Sequence, residues 1–282
     1  MGTQTAPRGR SDECNLVHLI EPYGSDRAFR HQLALDEGWP RRWVTTWLID
    51  GDQVVWPVRN IESVPVLATQ PMRRFTWRAR QMHRPGLEFM VSTGRQHGFE
   101  SLEERRLLLA LDFLQVSEVL PQPFLLDFEH ASGRAAHVPD FLALMPGGSR
   151  WLLDVRPGHL IKDDDALKFA ATREIAAAAG WRYAVVTGWR PNVMSLLDAL
   201  SARRRPAADP LGLQPQLLET AAGGSMSFLD LVESTQWPAL ARAQAIRLLW
   251  QRRLGMSMDE PLQDGSRIWL GNVVARHQEG RA

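Results

Sequence analysis

Lysine is almost absent from this chain. Of its 33 basic residues only Lys162 and Lys168 are lysines, and both lie in one short stretch. An abundance of Ala, Pro, Leu and Arg fits a GC-rich codon bias, yet any chemistry that needs a primary amine still has only these two candidates. Cysteine is reduced to Cys14. A lone cysteine excludes an internal disulfide and argues against a zinc cluster, which leads us to expect a reducing, cytoplasmic setting. No apolar run of about 18 residues occurs, and the N-terminal stretch lacks a signal-like apolar segment, so no membrane association is expected. Excess charge is missing too. The formal net charge is +1, so the molecule is not a polycation and any nucleic-acid site must be a local patch.

What is present is ordinary in bulk and informative in detail. The 282 residues are 44% hydrophobic and 23% charged, enough for a sizeable core and more than one domain. There is no internal repeat. Residues 1–15 are polar and expected to fray. The runs WVTTWLID and QVVWPVRN flank a Gly-Asp pair and predict a β-hairpin. MRRFTWRARQMHRPG mixes arginines with aromatics, which suits phosphate neutralisation and stacking. It equally suits a solvated strand edge.

FESLEERRLLLALDFL predicts a helix over 99–114, with Ser101-x-x-Glu104 at capping-box spacing. Three strands are expected at 119–129, 137–145 and 150–156, separated by Gly-containing turns. An Ala-rich helix over 165–180 is stopped by Gly180, and a buried strand follows at 181–189. This order of helix, three strands, helix and strand predicts an α/β layer with a mixed sheet. Residues 202–223 resemble a linker. From Ser227 onward, two helical patterns precede the strand-like RIWLGNVV. That is either a winged-helix arrangement or a small helical domain. The expected division is a β-rich module at 1–95, an α/β core at 96–200, and a linker with a C-terminal winged-helix-like domain at 201–282.

The carboxylates carry the chemistry. Asp140 and Asp154 fall on adjacent predicted strands joined by a tight turn, and Arg156 lies two residues beyond Asp154, on the same strand face. Paired carboxylates beside a cation suit phosphodiester hydrolysis, with the acids holding a hard cation and the arginine stabilising phosphoryl charge. Each residue also has a structural reading. Asp140 could be a solvated acid at a strand start. Asp154 and Arg156 could form a surface ion pair worth at most about 1 kcal/mol. Glu104 could serve only as the acidic member of its cap. Asp163 and Asp164 suit the start of the next helix through its dipole and are not counted as ligands.

The ordered run GFESLEERRLLLALDF, QPFLLDF, HVPDFLAL, WLLDVRPG and DALKFAATREIAAAAGWRY resembles the TnsA-like endonuclease subunits of heteromeric transposases. The resemblance spans roughly residues 70–190 and continues more weakly through LLWQRRL and GSRIW. It implies a restriction-endonuclease-like core of the PD-(D/E)xK type that cuts the 5′ ends of a transposon with Mg²⁺, Mn²⁺ being a substitute. It also implies three partners: double-stranded DNA at the transposon ends, a DDE-class transposase and an AAA+ ATPase regulator. A C-terminal winged-helix-like domain would contact partners. Carried over by position, the metal ligands are Glu104 (Glu103 if the register slips), Asp140 and Asp154. Arg156 occupies the usual lysine position. Arginine clamps phosphate but is not a proton carrier, so Lys168 on the following helix is the candidate to assist it. The alternative within the same resemblance is a catalytically degenerate subunit that binds DNA and supports assembly.

Overall fold

The computed structural model describes residues 9–21, 23–73 and 85–272. Most of the basic-aromatic stretch noted above therefore lies outside the described residues. The chain is a mixed α/β protein that divides into two compact units, Ile20–Gly188 and a second made of the chain up to Leu19 with the chain from Trp189 onward.

In Ile20–Gly188 the predicted hairpin forms between β1 (Val44–Ile49) and β2 (Asp52–Pro57). Its turn residues Asp50 and Gly51 both have positive φ, at 52° and 89°. That is the requirement of the two-residue turn whose twist matches the strands. A short β3 (Thr69–Gln70) pairs with the end of β1. The hairpin of β4 (Gly86–Met90) and β5 (Arg95–Phe99) precedes helix α1 (Leu102–Phe113). Then come β6 (Glu118–Pro121), β7 (Leu125–His130), β8 (Gly133–His137), β9 (Phe141–Leu144) and β10 (Arg150–Val155). Helix α2 (Asp163–Ala178) leads into β11 (Arg182–Val186).

Two of the three expected central strands are each two strands. The first breaks at Gln122, where φ is 45°, and the second breaks between His137 and Phe141. The consequence is topological. β6, β9, β10 and β11 form one four-stranded sheet in the order β11-β10-β9-β6, while β7 and β8 leave it to join β1 and β2 in another. β1 pairs directly with β7. The chain on either side of residue 95 thus shares one sheet, so the boundary expected there is not where the compact units divide. Among the described residues only β10 and β11 run parallel, which is why a helix, α2, crosses between them.

The core explains these choices. Leu120, Leu142 and Leu152 from the four-stranded sheet cluster with Trp43, Trp47, Phe124, Leu126 and Phe128, and with Ala170, Ala171 and Ile175 of α2. The alanines leave the helix without bulk on the buried side, letting its backbone sit close to the sheet. α2 carries three aspartates in its first turn and ends at Gly180, whose φ of 65° is the left-handed stop expected of a glycine there.

The second unit contains α3 (Val193–Ser201), α4 (Leu213–Ala222), β12 (Met226–Ser227), α5 (Phe228–Glu233), α6 (Pro238–Trp250), β13 (Leu254–Met256) and β14 (Arg267–Leu270), with sheet order β12-β14-β13. α4 corrects the expected linker. Both carboxylate oxygens of Asp209 accept from the helix's first amides, Leu213 N at 2.9 Å and Gln214 N at 2.8 Å. Of the residues expected to fray, Ser11, Asp12 and Cys14 are instead held in place. Arg252 donates to the carbonyls of Ser11, Asp12 and Cys14 at 2.8–3.0 Å, and Ser11 N donates to Met256 O at 2.9 Å. A side chain at Gly255 would collide with Trp269 Nε1 and the Asp12 carboxylate, which hydrogen-bond to each other at 3.0 Å.

Candidate active site

Glu104, Asp140 and Asp154 are each held by a local device. Ser101 caps α1, its hydroxyl accepting from Glu104 N at 3.2 Å. The Glu104 carboxylate accepts the Ser101 hydroxyl at 2.9 Å and Glu100 N–H at 2.7 Å. It is buried. Burial pushes its pKa up, the Glu100 amide and the Ser101 hydroxyl pull it down, and the Glu100 charge adds to the rise. The capping expectation is thus met, with the amide of Glu100 rather than of Ser101 as the reciprocal donor. Glu103, the alternative in a shifted register, pairs with Arg106 one turn along.

Asp140 sits immediately before β9. Its N–H donates to Leu153 O at 3.1 Å and its carbonyl accepts from Gln122 N at 2.7 Å. Its Oδ2 accepts from Val155 N at 2.7 Å. Among the described residues its Oδ1 has no hydrogen bond. The carboxyl is held well above the usual range, first by burial and then by the charges of Asp154 and Glu104. Asp140 therefore feels both of the other predicted carboxylates.

Asp154 is 1% exposed. Its Oδ1 meets His137 Nε2 at 2.8 Å and its Oδ2 accepts the Tyr183 hydroxyl at 2.6 Å. An ionised carboxylate only accepts, so His137 presents Nε2–H to it. Burial and the adjacent Asp154 raise the Tyr183 phenol well above its ordinary value. Behind Tyr183, the Arg173 guanidinium lies 4.9 Å from the ring centre and pairs with buried Asp26 at 2.6 Å. Phe169 of α2 packs edge-on to His137.

The two basic candidates lie elsewhere. Arg156 reaches the first turn of α2, where it pairs with Asp165 at 3.5 Å, and its Nε is buried without a partner. Lys168 is half-buried on α2 and forms no salt bridge among the described residues. The structure thus brings Asp140 into electrostatic reach of Asp154 and Glu104, and turns Arg156 toward Asp165.

His137, Tyr183 and Gln122 were not predicted. His137 had a faint signal in His-Val-Pro-Asp, a titratable side chain three residues before Asp140. Tyr183 had one in the parallel register that sets Asp154 beside Val185, two residues beyond it. Neither is readable until strand partners are known.

No group of three or more His, Cys, Asp or Glu side chains is arranged to hold a metal ion among the described residues. No helix among them is long and apolar enough to cross a membrane. Neither models of protein families nor curated proteins match this chain.

Proposed function

We propose that Ile20–Gly188 is a restriction-endonuclease-like, Mg²⁺-dependent DNA endonuclease that hydrolyses phosphodiesters at the 5′ ends of a transposon, as one subunit of a heteromeric transposase. The observation that carries this reading is the seating of Asp140 against the strand of Asp154, its Oδ2 accepting from Val155 N at 2.7 Å, with the charges of Asp154 and Glu104 both raising its carboxyl. Mutually unfavourable carboxylates are a signature of a functional site more than of a scaffold. The four-stranded sheet supports it, with α1 before β6 and α2 crossing from β10 to β11, although β7 and β8 interrupt the chain between β6 and β9 to join the other sheet. In the second unit, helices α4, α5 and α6 followed by the antiparallel pair β13-β14 support a winged-helix-like domain for partner contacts. The proposed partners are double-stranded DNA, a DDE-class transposase and an AAA+ ATPase, in the cytoplasm.

The residues fit a hard divalent cation in a limited way. Asp140 Oδ1 has no hydrogen bond among the described residues, and a cation would offset the repulsion that lifts this carboxyl. Mg²⁺ is commonly held by one or two carboxylates with water and phosphate completing the shell, so a triad of protein acids is not required. Asp140 and Asp154 would hold it, with Glu104 tuning the field from α1. When bound, Mg²⁺ supplies charge neutralisation at phosphate and activation of water. Arg156 clamps a phosphate oxygen once it exchanges Asp165 for DNA, and Lys168 approaches from one turn further along α2. His137 and Tyr183 fix the Asp154 carboxylate in one orientation.

The reading is tested by reconstituting the chain with its transposase and ATPase on transposon-end DNA and scoring each strand. Asp140→Ala is expected to abolish 5′-strand cleavage while assembly persists; normal cutting by that variant would make the assignment wrong. A second reading has its own support: Glu104 and Asp154 already have both oxygens engaged, and Arg156 replaces a lysine. These fit a degenerate DNA-binding and assembly subunit, for which the wild-type chain assembles with its partners and never cuts.

A further inference from the structure

Among the described residues of Ile20–Gly188, Gln122 combines two anomalies. It has φ 45°, a left-handed conformation that glycine or asparagine normally occupies. It is 5% exposed, and its side-chain Oε1 is buried with no hydrogen-bond partner. Strained backbone and an orphaned buried oxygen are each uncommon, and each points to a functional constraint. Here they coincide in one residue.

The position of Gln122 in the sheet gives the anomaly a direction. β6 pairs with β9 through Pro121 and Phe141, and the next rung is Gln122 N–H donating to Asp140 O at 2.7 Å. β9 pairs with β10 through Phe141 and Leu153, and just beyond that pair Asp140 N–H donates to Leu153 O at 3.1 Å and Asp140 Oδ2 accepts from Val155 N at 2.7 Å, which sets Asp140 against the Leu153–Val155 end of β10. Gln122, Asp140 and that end of β10 thus form one row across three strands. The backbone of Gln122 is pinned from the other side as well, its carbonyl accepting from Met72 N at 3.0 Å.

We propose that Gln122 Oε1 is a protein ligand of the divalent-cation site, completing with Asp140 and Asp154 a Gln-Asp-Asp set of hard oxygens. The inference rests on the nuclease reading and goes beyond it by naming a neutral ligand. An amide carbonyl is an ordinary oxygen donor to hard cations. It adds no charge to a row where the existing carboxylates already repel. It also fits the lack of a His, Cys, Asp or Glu triad among the described residues: the third oxygen comes from an amide. The left-handed backbone is then the device that turns the Gln122 side chain out of the β6 alternation and toward the row.

The test is Mn²⁺ binding by the full chain, followed by electron paramagnetic resonance of the free ion, alongside melting in metal-free buffer. Gln122→Met keeps length and removes the oxygen. It is expected to weaken Mn²⁺ binding about tenfold or more, with a metal-free melting temperature equal to or above wild type, because a buried unpaired oxygen has been removed. A water hydrogen-bonded to Oε1 predicts unchanged Mn²⁺ affinity instead. If Gln122→Met binds Mn²⁺ like wild type while Asp140→Asn loses it, Gln122 is not a ligand and the metal-dependent reading survives. If the wild-type chain binds no Mn²⁺, both fall. Gln122→Glu keeps an oxygen at the same reach and decides the matter should the methionine variant not fold. Binding at least as tight as wild type supports the ligand role, and weaker binding overturns it.

Discussion

Tyr183 donates its hydroxyl to Asp154 Oδ2 at 2.6 Å, across the parallel pair β10-β11. The carboxylate is buried, and His137 holds its other oxygen at 2.8 Å. A buried charge is tolerable only when its lone pairs are satisfied, so these partners explain how an aspartate can occupy the centre of the sheet. They also orient it. Asp154 cannot rotate without breaking one of two charge-assisted bonds.

Tyr183→Phe is therefore expected to cost about 1.5–3 kcal/mol, the range for a hydrogen bond to a charged group, measured by urea unfolding near neutral pH. The same pair sets an alkaline limit. With the folded phenol pKa raised above its ordinary value of about 10, the folded protein keeps this proton when the unfolded chain has begun to lose it. The contribution is fully present below the ordinary value and is lost as pH rises through the folded one. Stability should thus fall at alkaline pH more steeply in wild type than in Tyr183→Phe. Parallel slopes would show that the phenol is not so held.

Asp140 predicts a gain on mutation. Its pKa is raised by burial, Asp154 and Glu104, with Glu100 adding to the rise, so the folded state binds the proton more tightly than the unfolded chain. This contribution to stability is present below the ordinary carboxyl value of about 4 and is lost as pH rises through the raised folded value. At neutral pH the ionised carboxylate is a burden. Asp140→Asn keeps an oxygen for Val155 N–H and removes the charge, and should raise stability by about 1 kcal/mol at pH 7–8. The advantage should vanish near pH 4. A variant equally or less stable at both pH values would contradict the electrostatic picture of the site.

The carboxylates were legible in the sequence because their signals are local. Ser101-x-x-Glu104 follows from helix capping, and Asp140 and Asp154 follow from two strands joined by a tight turn. Gly180 and the hairpin at Gly51 were legible for the same reason, although the turn falls at Asp50-Gly51 and the expected Gly51-Asp52 pair is split by the start of β2. Partners drawn from other strands were not. His137 reaches Asp154 only because β8 leaves the sheet that β9 joins, and that switch depends on the break after His137. Arg156 was expected beside Asp154 from the two-residue strand period. The strand ends at Val155, so the period no longer governs where Arg156 points, and Asp165 of the next helix takes it. Helix α4 was hidden by the Pro- and Ala-rich stretch before it. Its cap is Asp209, which lacks the spacing of the Ser101 box.

Asp26 and Arg173 join the N-terminal part of Ile20–Gly188 to α2, through two bonds of 2.6 and 3.1 Å. Asp26 is 0% exposed and the Arg173 side chain 23% exposed. Removing one partner of a buried pair leaves a charge without compensation, which costs about 3–5 kcal/mol. Arg173→Ala is expected to fall in that range by denaturant unfolding. Asp26→Asn in the same background should recover part of the loss, since the orphaned charge is then gone. The cycle separates the pair from the packing of the guanidinium on Tyr183, which only the arginine change removes.

Glu104 separates scaffold from site. Its carboxylate serves the α1 cap and lies within the field of Asp140. Ser101→Ala should cost about 0.5–2 kcal/mol, as cap losses do, with 5′-strand cleavage in the reconstituted complex largely retained at a temperature where the variant is folded. Glu104→Gln keeps an oxygen to accept from the Glu100 amide and turns its NH2 to donate to the Ser101 hydroxyl oxygen, while removing a charge that is unfavourable where it stands. It should therefore melt at or above the wild-type temperature. If the carboxylate matters to the proposed hydrolysis, cleavage falls in Glu104→Gln without loss of stability, the reverse of the Ser101→Ala pattern. Glu104→Gln with full cleavage would reduce Glu104 to a cap and leave Asp140 and Asp154 to hold the cation without its help.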